Sequence, residues 1–104
     1  MSGDQTIAAD SVIACLRAHA AELRAAGIRH VSVFGSVARG EAGADSDIDL
    51  VAEIDRSAGL DLFGLVALER RLGEMLGHTV DLTLEPVEKP RLQTNIDRDR
   101  LRAF

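Results

Sequence analysis

Aromatic side chains are nearly missing: the chain has three Phe and neither Trp nor Tyr. That removes the flat platforms on which single-stranded bases stack and leaves Leu, Val, Ile and Ala to build the core. One cysteine, Cys15, excludes an internal disulfide and any cysteine-based metal motif. Its expected role is that of a small apolar filler on a helix. With only two Pro and no low-complexity tract or repeat, there is no linker at which to divide the chain. No apolar run approaches the roughly 20 residues needed to span a bilayer. The opening "MSGDQTIAAD" has neither a basic nor an apolar signal region. A soluble, cytoplasmic protein without membrane contact is expected. Positive charge is also in short supply, since 12 Lys and Arg face 17 Asp and Glu for a net charge of -5. Phosphate backbones need clustered cations, so this balance argues against nucleic acid as the main partner.

What remains is enough for one small domain over residues 1–104, because 46% of the residues are hydrophobic and 28% charged. From about Ile7 to Ala26, Ala9, Ile13, Leu16, Ala20 and Leu23 recur at helical steps, and Gly27 follows as a stop. "IRHVSVF" and "DIDLVAEI" carry strand patterns. "DLFGLVALERRLGEMLG" is an amphipathic helix with Asp61 as N-cap and Gly77 as terminator. "HTVDLTL" alternates as a third strand, and the tail from Arg91 to Phe104 is expected to be helical. The alternating signs of "DRDRLR" within it suit a solvated helix face. The order helix, strand, strand, helix, strand, helix points to an α/β (α+β) fold with one sheet and helices packed on it.

The stretch "FGSVARGEAGADSDIDL" breaks this regularity. Side chains two apart on a strand share a face, so Asp47 and Asp49 project together while Ile48 and Leu50 turn inward. Paired carboxylates repel unless a cation lies between them, and Mg²⁺ is bound by such oxygens together with substrate phosphates. Asp81 joins them if the third strand pairs beside the second. Gly35 lets a ligand approach the backbone closely, and the Ser36 hydroxyl with the amides of the following turn can hold phosphate oxygens. Arg39 has two open readings: neutralising triphosphate charge, or hydrogen-bonding the loop. Glu41 and Asp45 are expected to be solvated loop acids, and Ser46 a turn or cap residue. His19, His30 and His78 lie on separate elements without ligand-like spacing.

Phe34-Gly35-Ser36, a ten-residue gap, Asp47-x-Asp49 and the later Asp81 resemble the signature of the DNA polymerase beta-like nucleotidyltransferases. The fuller string is most similar to the minimal nucleotidyltransferases, the MntA-type antitoxins of MNT/HEPN toxin–antitoxin pairs. The resemblance implies the polymerase beta-like fold with a small mixed sheet. It also implies transfer of AMP from ATP with release of pyrophosphate. Asp47 and Asp49 would bind two Mg²⁺ ions. Asp81 would bind the catalytic one and help deprotonate the attacking hydroxyl, and Gly35 and Ser36 would hold the triphosphate. It further implies an acceptor hydroxyl, typically of Tyr, on a HEPN-type toxin. No separate acceptor-binding domain is expected from 104 residues, which fits a macromolecular acceptor better than a small one. Two other classes stay open: an antitoxin that only binds its partner, and a transferase acting on a small molecule or nucleic acid.

Overall fold

The computed structural model describes residues 7–43 and 45–104. The opening hexapeptide, part of the stretch read above as lacking a signal, lies outside them, as does Ala44. Helices α1 (Ala9–Ala18) and α2 (Ala20–Ala25) lead into strand β1 (Ile28–Phe34) and the single turn α3 (Gly35–Ala38). Strand β2 (Ile48–Ile54), helix α4 (Leu62–Leu76) and strand β3 (Val80–Leu84) follow. Helix α5 (Pro90–Asp99) and the short strand β4 (Leu101–Arg102) complete the order.

The four strands form one mixed sheet in the order β3-β2-β1-β4. β2 and β3 are parallel, joined across one face by α4, while β1 runs antiparallel to β2 and to β4. The mixed α/β architecture expected from the sequence is therefore present. Alternation along the strands sends their side chains to two different cores. Val31, Val33, Ile48, Leu50, Ala52 and Val80 meet Val12, Leu16, Leu23, Leu68 and Leu72 from α1, α2 and α4. On the other face Phe34 and Val51 meet Ile96 of α5, flanked by Val87 and Leu92. Fully burying one such aliphatic side chain is worth about 1.5–3 kcal/mol, so the larger cluster carries most of the fold.

Local chemistry explains where the elements begin and end. Asp61 caps α4 by accepting the Gly64 N–H at 2.8 Å, and Gly77 ends it at φ 71°, both as the sequence predicts. The expected first helix is two pieces. His19 leaves the helical conformation (φ −106°, ψ 14°), with its Nδ1 2.9 Å from the Cys15 carbonyl four residues back. In β1 the pairing slips between Ile28 and His30. That bulge reconciles a strand whose buried residues, Ile28 and Val31, stand three apart.

The C-terminal expectation needs correction. α5 stops at Asp99, and Leu101 and Arg102 pair with Val33 and Ser32 as a fourth strand. Ala103 N–H then donates to the Val31 carbonyl at 2.9 Å, and the Phe104 carbonyl accepts from Val31 N–H at 3.0 Å. Arg17 Nε holds the Ala103 carbonyl at 2.7 Å. The alternating charges are not a free solvated face either. Arg100 forks onto Glu85, and Asp99 is clamped by Arg98 and Arg39. Helix periodicity cannot show this, because the tail is held by an edge pairing 70 residues distant in sequence.

Candidate functional site

The site is set by strand register. β1 ends at Phe34, which pairs with Asp49 of β2, and Asp49 pairs with Asp81 of β3. The residues 34, 49 and 81 thus form one row across three strands, on the face opposite the large core. Asp47 stands one residue before β2, which starts at Ile48 and not at Asp47 as the pattern suggested. Asp47 and Asp81 are exposed and Asp49 is half-buried.

The electrostatics tie the three acids together. Partial burial raises the Asp49 carboxyl above its ordinary range, the negative charges of Asp81 and Asp47 raise it further, and Arg39 opposes them. Carboxylates whose charges oppose one another are relieved when a hard cation lies between them. Among the described residues no three acidic, histidine or cysteine side chains are drawn in around a single metal-sized point. The expected meeting of Asp47, Asp49 and Asp81 at one point is therefore not seen among the described residues. The donor chemistry is the one Mg²⁺ takes, oxygen only, from Asp49 and Asp81 on adjacent strands and Asp47 just before β2.

Gly35 follows Phe34 directly and so lies beside Asp49. Its backbone is left-handed (φ 73°), and a side-chain carbon built there would collide with Asp49 Oδ2 and lie 3.2 Å from Asp49 Cγ. The glycine has two independent reasons to be there. Gly35→Ala incurs a left-handed penalty of about 1–2 kcal/mol and pushes Asp49 out of the row. We expect a lowered melting temperature for Gly35→Ala; a variant as stable as the native protein would contradict this packing. Ser36, half-buried, follows at the start of α3, whose first turn faces the same end of the sheet.

Arg39 closes the loop. Its Nε donates to Glu41 Oε1 at 2.8 Å and its Nη1 to Asp99 Oδ2 at 2.7 Å. Of the two readings left open, the structural hydrogen bond is present, and the guanidinium charge also reaches Asp49. Glu41 is exposed as expected, yet paired. Ser46 acts as the turn residue expected, its Oγ accepting the Gly43 N–H at 3.1 Å. The contact of Asp99 with Arg39 was not expected from the sequence. An acid in the last turn of a helix opposes the helix dipole, and that local conflict was the available signal. Among the described residues no helix is long and apolar enough to cross a membrane.

Residues 16–102 match the family described as nucleotidyltransferase domain. The chain is 36% identical over 91 residues to the protein adenylyltransferase MntA of Thermococcus cleftensis, covering 86% of this chain and 90% of that protein. A solved structure described as a minimal nucleotidyltransferase superposes with a TM-score of 0.73 at 34% identity, covering 90% of this chain and 94% of the other. The same fold occurs in the complex of tri-AMPylated Shewanella oneidensis HEPN toxin with MNT antitoxin. There the TM-score is 0.62 at 18% identity, with 88% of this chain and 71% of that one covered.

Proposed function

The chain belongs to the nucleotidyltransferase domain family, and from that premise we propose that it moves AMP from ATP onto a hydroxyl of a HEPN-type toxin, acting as that toxin's antitoxin in the cytoplasm. The observation that supports the proposal is the row Phe34, Asp49, Asp81, since Gly35 follows Phe34 directly and so lies beside Asp49. Two relatives support the choice of acceptor: one is named as a protein adenylyltransferase, and another fold neighbour is a complex with an AMPylated HEPN toxin.

In this reading Gly35 and Ser36 receive the triphosphate, with the missing Cβ at Gly35 letting phosphate oxygens approach the backbone. Asp47 and Asp49 are the residues that would hold two Mg²⁺ ions, and Asp81 one of them. The ions would neutralise phosphate charge and polarise the attacking and leaving oxygens. Asp81 takes the proton of the acceptor hydroxyl. That oxygen bonds the α-phosphorus, the bond from the α-phosphorus to the α,β-bridging oxygen breaks, and pyrophosphate departs. Arg39 meets negative charge on the triphosphate from the loop side.

The test is incubation with α-labelled ATP, Mg²⁺ and the protein encoded by the adjacent gene. Label should appear on that protein, on a hydroxyl side chain such as Tyr, and its toxicity should fall in step. Absence of label with a correctly folded enzyme that binds ATP would rule out this acceptor.

A further inference from the structure

Helix α5 ends with a carboxylate in an electrostatically poor place. The C-terminus of a helix carries partial negative charge and favours cations, yet its last residue is Asp99. The side chain is only 4% exposed. It is enclosed by two guanidinium groups: Arg39 Nη1 at 2.7 Å on Oδ2, and Arg98 Nε at 3.0 Å on Oδ1. Arg98 is mostly exposed and adjacent in sequence, so it offsets the charge of Asp99. The carboxylate can then anchor Arg39 without cancelling its charge.

We propose that Asp99 is a positioning residue for the nucleotide site, holding the Arg39 guanidinium at the end of the Gly35–Ala38 turn and making the C-terminal segment a working part of that site. The proposal rests on the reading of the site as a nucleotide site. An arginine side chain has large rotamer freedom, and fixing it in advance removes that entropy loss from ligand binding. Two anchors accomplish this. Glu41 takes Nε from within the loop and Asp99 takes Nη1 from across the fold, while the guanidinium retains further N–H donors for phosphate oxygens. The anchor is itself registered against the catalytic turn. Leu101, two residues after Asp99, pairs with Val33, two residues before Gly35, and α3 packs against α5. Arg39 is itself tied to that turn, its backbone N–H donating to the Gly35 carbonyl at 3.1 Å.

The experiment measures the dissociation constant of a non-hydrolysable ATP analogue with Mg²⁺ and no acceptor, alongside thermal melting. Asp99→Asn should weaken binding about tenfold, and Asp99→Glu should recover part of the loss. Asp97→Asn, an exposed acid on the same helix, should leave binding unchanged. In the Arg39→Ala background, Asp99→Asn should add nothing, because Asp99 acts through Arg39. Should Asp99→Asn fold poorly, the cycle is run with Asp99→Glu, whose smaller loss must also vanish in that background. Native-like affinity in Asp99→Asn, or losses that add to those of Arg39→Ala, would overturn the proposal while the nucleotide reading stands. A native protein that binds no nucleotide would overturn both.

Discussion

Asp49→Asn is expected to reduce nucleotidyl transfer by at least about 10³-fold, since electrostatic stabilisation is usually the largest single contribution to such catalysis, and at the same time to raise the melting temperature of the metal-free protein. Both effects have one cause. Asp49 is half-buried and pressed by the charges of Asp81 and Asp47, so its ionised form is disfavoured in the fold. A bound cation turns that repulsion into affinity. Without the cation it is a stability penalty that the neutral amide relieves.

The sign with pH follows. The carboxyl is raised above 3.8 in the folded state, so the penalty is fully present above the folded pKa. It fades as pH falls through that value toward the unfolded one. In chelator, the variant should therefore melt above the native protein at neutral pH, with the gap narrowing on acidification. A variant less stable than the native protein at neutral pH would contradict the clustering of the three acids. Combined with Asp47→Asn, the same change separates catalysis from occlusion. In the proposed antitoxin role, neutralisation of the partner that persists in the double variant would show that binding alone suffices.

Asp49 was legible because strand alternation is local, whereas Asp47 falls one residue before β2, where alternation no longer fixes its face. The membership of Asp81 depended on a pairing that spacing cannot supply. The parallel register Asp49 to Asp81 is set by α4, which carries the chain from the end of β2 back to the start of β3. Gly35 was legible as a position for close approach, but the sequence pointed to a ligand, and the structure adds the Asp49 carboxylate as a neighbour. The tail was least legible. Of α5 only Ile96 is buried, too sparse a signal to reveal that this helix covers the functional face. The last residues join the sheet through pairing with a strand near the start of the chain. Long-range contacts of this kind leave little trace in local periodicity.

The sparseness of α5 makes Ile96 a sensitive position. Ile96 of α5 is fully buried against Phe34, a member of the row, and Val51, two residues beyond Asp49 on β2. Its ion pairs, Arg100 with Glu85 and Asp99 with Arg39, are partly solvated and orient α5 more than they bind it. Ile96→Ala should therefore cost about 2–5 kcal/mol, a large share of the roughly 5–15 kcal/mol that holds such a domain together. The expected fall in melting temperature is about 10 °C or more. Phe63→Ala removes a larger side chain, but Phe63 is 83% exposed on α4. It should stay within about 0.5 kcal/mol of the native protein. Calorimetry on the two variants gives the order directly, and a Phe63 loss exceeding that of Ile96 would mean that α5 is not seated on this face. Amide exchange adds the functional consequence. If α5 hangs from Ile96, its amides should lose protection first in Ile96→Ala. Nucleotide affinity should fall with them, because the helix that opens carries the carboxylate fixing Arg39.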